Sequence, residues 1–244
     1  MIGFLLIDKP DGMTSHDVVA RVRRLTGEKR VGHAGTLDPF ATGLLVVGVG
    51  RVATREFPKL VGLGKEYEAE FLLGATSDTD DRTGTVLVSS ESFVVSGEQI
   101  AEAMKAFTGP ISQIPPNYSA IKIGGKKMYE AAREGKPMVA KPRDVTVYSF
   151  DLLDHSLLTT HDKPTFPVRI ACSTGTYIRS LARDLGAKLG VGGYVQELRR
   201  TSVGPFRVEE AIPLKTLTPE TVEAALLPVE SVLSRVGASA TVKG

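Results

Sequence analysis

The chain has 244 residues, a formal net charge of +2, 42% hydrophobic and 24% charged residues, a globular profile for one large domain or two small ones that excludes a disordered or collagen-like chain. Apolar runs such as Leu44–Val49 fall far short of the ~20 residues a membrane helix needs, and Asp8 and Lys9 interrupt the N-terminus before a signal-peptide core can form, so a cytoplasmic protein with no membrane role is expected. The single cysteine, Cys172, and four scattered histidines (His16, His33, His155, His161) exclude an internal disulfide framework and a cysteine zinc site, and no metal is expected.

Gly3–Ile7 is a short apolar strand, followed by a turn at Lys9-Pro10-Asp11-Gly12. Thr14 and Asp17 form a capping-box pattern. The helix behind it carries Val18, Val19, Val22 and Leu25 on one face and Arg21, Arg23 and Arg24 on the other, and Gly27 ends it. Gly32–Gly43 is a Gly-rich loop, and Leu44–Val49 is a strand of the buried type. Tyr67–Leu73 alternates as a half-buried strand; an acidic turn over Thr76–Gly84 leads to a strand at Thr85–Val88. Ser96 and Gln99 cap a helix that points Ile100, Ala103, Met104 and Phe107 inward, with Gly109 closing it. Pro115-Pro116 excludes regular structure, a short helix lies near Lys127–Glu134, and strands follow at Val145–Leu153 and Val168–Cys172. Thr176–Leu189 is the clearest helix, with Ile178, Leu181, Ala182, Leu185 and Leu189 as its stripe and Arg179 and Arg183 off it; Gly190, Gly192 and Gly193 break it. A last helix is expected from Thr218-Pro219-Glu220. Strands outnumber helices without alternating with them, which predicts an α+β fold on a mixed, mostly antiparallel sheet flanked by helices.

Charge is uneven. Residues 110–144 hold seven cations, Lys122 and Arg133 among them, against three anions, which suits a polyanionic partner and equally a solvated loop. Asp38, directly before Pro39, reads as a helix N-cap or as a carboxylate aimed into a cleft, and Arg179 is a candidate for the cation that keeps it ionised. Gly48-Val49-Gly50-Arg51-Val52-Ala53 fits a dinucleotide fingerprint, with Glu68 in place for a ribose; Pro58 stands where the crossover helix of an NAD(P) oxidoreductase would run. Asp78, Asp80 and Asp81 lack the twelfth-position Glu of a calcium loop and read as a solvated turn.

Gly32-His33-Ala34-Gly35-Thr36-Leu37-Asp38-Pro39 closely resembles a motif of the bacterial tRNA pseudouridine synthase B (TruB) family. The resemblance extends in order through Leu6-Ile7-Asp8-Lys9-Pro10-Asp11-Gly12-Met13-Thr14-Ser15, Lys65-Glu66-Tyr67, the acidic run at 76–81, Pro115-Pro116-Asn117-Tyr118-Ser119-Ala120-Ile121-Lys122, Gly175-Thr176-Tyr177-Ile178-Arg179-Ser180-Leu181 and Leu198-Arg199-Arg200-Thr201. It implies a pseudouridine synthase fold over residues 1–235 with a basic RNA-clamping insertion at 110–144, a tail at 236–244, and no room for the PUA domain of longer members. It also implies isomerisation of uridine to pseudouridine at position 55 in the T loop of tRNA, by base flipping and without cofactor. Asp38 would be the catalytic carboxylate, attacking C1′, attacking the ring or assisting glycal formation. Tyr67 would stack on the uracil near the C5 proton, Arg179 would pair with Asp38, and Leu198 would pack beside the base. His33 would fill space left by flipped nucleotides, and Lys9 and Tyr177 would support the pocket. Lys122, Arg133, Arg199 and Arg200 would contact phosphates. The T-arm stem-loop is the expected partner, with no obligate protein partner. A non-catalytic tRNA binder or folding helper is the competing reading.

Overall fold

A computed structural model describes residues 1–88, 95–154 and 165–241; His155 and His161 lie outside the described residues. The chain packs as two compact units, Met1–Tyr67 with Leu198–Gly244, and Glu68–Glu197. In chain order the first opens with β1 (Gly3–Lys9), α1 (Ser15–Thr26), β2 (Val31–His33), β3 (Thr42–Val49), α2 (Gly50–Arg55) and α3 (Phe57–Val61). The strand β4 (Lys65–Leu73) leads into the second unit, which holds β5 (Ala75–Ser77), β6 (Val86–Val88), α4 (Gly97–Lys105), β7 (Gly109–Gln113), β8 (Lys122–Ile123), β9 (Lys126–Lys127), α5 (Met128–Arg133), β10 (Arg143–Leu152), β11 (Thr165–Cys172) and α6 (Ile178–Lys188). β12 (Gly193–Val203) leads back, and β13 (Phe206–Arg207), β14 (Ile212–Pro213) and α7 (Val229–Thr241) complete the first unit.

In the first unit the strand order is β14–β1–β3–β12. β1 and β3 pair antiparallel from Gly3↔Val49 to Lys9↔Gly43, whereas β3 and β12 run parallel. Burial of Gly43–Val49 explains why β3 is an unbroken apolar run rather than an alternating one. Gly43, at φ +98°, lets the neighbouring backbone pass: a Cβ there would stand 2.3 Å from the Arg200 carbonyl oxygen. The expected capping box forms at α1, where Thr14 Oγ1 accepts from the Asp17 N–H and the Asp17 carboxylate accepts from the Thr14 N–H, and Gly27 ends the helix in the left-handed region. The core gathers Phe4, Leu44, Val46, Leu60, Phe206 and Val232, and truncating a buried Phe of this kind to Ala costs ~3–5 kcal/mol.

The dinucleotide reading of Gly48–Ala53 does not survive. β3 pairs antiparallel with β1 and β2, α2 ends after six residues, and the space a phosphate loop would leave open is filled by the Phe57 ring. A Cβ on Gly48 would sit 2.9 Å from that ring, so this glycine serves packing.

In the second unit the order is β4–β11–β10–β7, with β10 antiparallel to both neighbours. β4 alternates buried and half-buried residues as its sequence predicts, and Phe71 meets Phe150 and Phe166 edge-on. α4 stops at Lys105, short of Phe107. Two expectations for the C-terminus change. Thr218 and Thr221 exchange the predicted capping bonds, but only turns follow, because the chain straightens to pair Leu227 with Phe4 through two backbone bonds of 2.9 and 2.8 Å. The final helix is α7, which takes in much of the segment read as a tail. The fold is α+β on a mostly antiparallel sheet.

Candidate active site

The loop between β2 and β3 carries Asp38, and three side chains from three elements hold it. Lys9, at the end of β1 and fully buried, donates from Nζ to the carbonyls of Pro10, Met13 and Pro39 at 2.9, 2.5 and 3.0 Å. Ser15, in the first turn of α1, donates from Oγ to the Leu37 carbonyl at 3.1 Å and accepts from the Leu37 N–H at 2.9 Å. Arg200, from β12 and also 0% exposed, spreads its guanidinium over the carbonyls of Leu44 (2.8 Å), Thr36 (3.3 Å) and Gly35 (3.1 Å). The Ala41 N–H closes the turn onto the Asp38 carbonyl at 3.1 Å. The backbone is thus fixed on both sides of Asp38, which is itself half-buried.

The charges here are shaped by burial. It pushes the Lys9 ammonium down to about 8, against the pull of the Asp11 and Asp38 carboxylates. His33 is lowered to about 4 by burial and then by the charges of His16 and Arg200, so its imidazole is neutral at pH 7. Its Nδ1 is buried with no hydrogen-bond partner, and its ring stands edge-on to His16 at 5.9 Å. Tyr67 and Leu198 are both buried in the same unit.

The two arginines expected at phosphates differ. Arg200 has no exposed surface and each of its three nitrogens donates to a carbonyl, so the structure makes it a loop clamp rather than a phosphate contact. Arg199 stays partly exposed, but its fork grips Asp8 at 3.0 and 2.8 Å.

Arg179 and Tyr177 lie in the second unit at the start of α6. Arg179, 3% exposed, donates to the carbonyls of Thr79 (2.7 Å) and Tyr118 (3.0 Å) and stands 3.5 Å from the Asp81 carboxylate. In the acidic turn Asp78 is exposed as expected, but Asp80 and Asp81 are buried rather than solvated: Asp81 accepts from Thr79 and Thr83, and Asp80 pairs with Arg183 at 2.9 Å. Asp80 takes φ +59°, and burial raises its carboxyl despite Arg183. In the basic insertion, β8 and β9 form a hairpin that runs into α5, and Met128 and Ala131 supply its small apolar base. Lys126 pairs with Glu134 and Lys127 with Glu130, while Lys122 and Arg133 are exposed. Arg133 also lies 5.5 Å from the centre of the Tyr129 ring.

Sequence inspection missed Ser15, Asp8 and Asp81 as supports. Ser15 stands next to a recognised cap, and nothing in its neighbourhood announces a partner 22 positions away. Among the described residues no group of three or more His, Cys, Asp or Glu could hold a metal ion, and no helix is long and apolar enough to cross a membrane.

The mostly antiparallel α+β sheet flanked by helices is the pseudouridine synthase fold. A solved Cbf5–Nop10–Gar1 complex contains a similar chain, with a TM-score of 0.72 and 31% identity over 96% of this protein and 62% of that chain. The chain belongs to the TruB family of pseudouridylate synthases: residues 23–178 match the family's N-terminal domain and residues 179–234 the C-terminal domain of tRNA pseudouridylate synthase B. It is 51% identical to tRNA pseudouridine synthase B of Corynebacterium efficiens, over 88% of this chain and 71% of the relative. It is likewise 51% identical to that of Leifsonia xyli, over 95% and 76%. The reaction of the family is isomerisation of uridine to pseudouridine in RNA.

Proposed function

We propose that the protein isomerises the uridine at position 55 in the T loop of tRNA, in the cytoplasm, with Asp38 as the essential carboxylate. The reading is carried by the loop geometry: buried Lys9, Ser15 and Arg200 fix the backbone before and after Asp38. Such pre-organisation serves a group that must be in place before a transition state forms. The reaction breaks N1–C1′, turns the uracil, joins C5 to C1′, removes the C5 proton and places one on N1. Substrate and product have the same atoms and oxidation level, so the balance requires no cofactor.

A uridine in a folded loop is reached only after flipping, at a few kcal/mol of lost stacking. Tyr67 returns part of that by stacking on the uracil, at ~1–3 kcal/mol per base. His33, neutral and half-buried, fills the space the flipped nucleotides leave. Leu198 packs beside the base. Arg179 is the cation we assign to Asp38, with Tyr177 supporting the pocket. Lys122, Arg133 and the exposed part of Arg199 meet phosphates of the T arm. Asp38→Asn tests the assignment: tritium release from 5-tritiated uridine in a T-arm stem-loop should fall to background while RNA binding persists. Retained turnover would remove Asp38 from the chemistry, and a tRNA-folding role with no turnover by the unaltered protein would leave it a binder.

A further inference from the structure

We propose that Gln113 is a positioning residue for the reaction: it locks the first turn of α6, and with it Tyr177 and Arg179, to the root of the basic insertion. The inference rests on the reading that Arg179 serves the chemistry. Gln113 ends β7 and is 2% exposed. Its side-chain amide meets the backbone of Tyr177 twice, donating from Nε2 to the carbonyl at 3.0 Å and accepting from the N–H at Oε1 at 2.8 Å. Both peptide groups of the residue that opens α6 are thereby satisfied by one side chain, at a helix start with no side-chain cap of its own. The next residues of the insertion continue the attachment. The Ile114 carbonyl accepts from Ser180 Oγ and from Arg183 Nη2, each at 2.9 Å, and the Tyr118 carbonyl accepts from Arg179 Nη2 at 3.0 Å.

Residues 113–118 therefore fix Tyr177, just before α6, and three positions of its first two turns, Arg179, Ser180 and Arg183. The same segment leads directly into Ser119, whose carbonyl accepts from the Tyr129 N–H of α5 at 3.1 Å, and on into the Lys122 hairpin. RNA held by Lys122 and Arg133 thus loads the segment that orients Arg179. A helix cap alone would need only an acceptor for the free N–H groups of the first turn. The Gln113 amide instead pairs both ways with one residue, which sets its register along β7 as well as its orientation.

The test compares Gln113→Leu, which keeps volume and loses both bonds, with Gln113→Glu, and with Phe166→Leu as a core truncation in the same unit away from α6. Amide hydrogen exchange reads the lock without turnover: in Gln113→Leu the amides of 177–181 should exchange at least about tenfold faster, with the β10 and β11 amides unchanged. Steady-state assays on a T-arm stem-loop should show kcat reduced about tenfold and KM within about twofold, because a misplaced group near the chemistry weakens the transition state rather than RNA binding. Gln113→Glu should regain activity as pH falls and its carboxyl becomes a donor to the Tyr177 carbonyl. Phe166→Leu should leave kcat within about twofold. Unchanged exchange at 177–181, or an equal kcat loss in Phe166→Leu, overturns the assignment. Failure of Asp38→Asn to abolish turnover overturns the site reading alone.

Discussion

Replacing Arg200 with Met separates a loop clamp from a phosphate contact. Met matches the aliphatic stem of Arg but ends short of the guanidinium and has no donor, leaving the carbonyls of Gly35, Thr36 and Leu44 without their partner. Each orphaned buried carbonyl costs ~1–3 kcal/mol. Against this, removing a guanidinium with no exposed surface returns several kcal/mol of desolvation. The balance we expect is ~2 kcal/mol of lost stability, or about 4–8 °C in Tm for a chain of this size. A protein with ~5–15 kcal/mol of stability stays folded after that loss, so unfolding cannot account for a large change in turnover. The loop, released on one side, should let Asp38 move by ~1 Å, which lowers kcat about 100-fold. The assays are thermal unfolding, kcat on a T-arm stem-loop, and RNA affinity as a function of salt. A clamp leaves the slope of log affinity against log salt unchanged, whereas a lost phosphate contact reduces it by about one. Near-normal kcat with a shallower slope would refute the clamp. Arg200→Lys should fall between the two, since an ammonium lacks the fork that spans three carbonyls.

Two further predictions concern pH. The Lys9 value of about 8 in the folded chain lies below the 10.5 of the unfolded one, so the unfolded state binds the extra proton between them. Stability should therefore rise with pH across that window by up to ~3 kcal/mol, and denaturant melts of Lys9→Met should lose this slope; an identical slope would show that another group supplies it. His33 goes from 6.5 unfolded to about 4 folded, so stability should fall as pH drops through that range, and His33→Gln should flatten the fall. Melts that remain as steep in the variant would exclude His33 as the source.

Local patterns carried much of the architecture. The Thr14–Asp17 and Ser96–Gln99 boxes formed where two side chains within one turn decide the outcome, and the β4 alternation needed only one buried face. What failed was governed by distant partners. The Thr218 cap is real, yet pairing of Leu227 with Phe4 prevents a helix there. Gly48 looked like a phosphate-loop glycine because the Phe57 ring that fills its space lies outside the motif. In the candidate site, Asp38, the carboxylate we propose for the chemistry, was singled out by its motif, but the groups that hold its loop were not. Arg200 reads from sequence as one more cation beside Arg199, and only burial separates their roles. Asp80 and Asp81 likewise read as solvated acids until Arg183 and the Thr side chains close around them.

The first unit is made of two stretches separated by the whole of the second. The Arg200 guanidinium reaches the Gly35 carbonyl across 165 positions, so during synthesis the aspartate turn leaves the ribosome long before the strand that braces it. Until β12 emerges, that turn has Lys9, Ser15 and the Gly12 N–H bond to the Pro39 carbonyl, but not its Arg200 brace. On the role proposed for Asp38, a nascent chain interrupted anywhere in the intervening stretch lacks the Arg200 brace and should be catalytically mute.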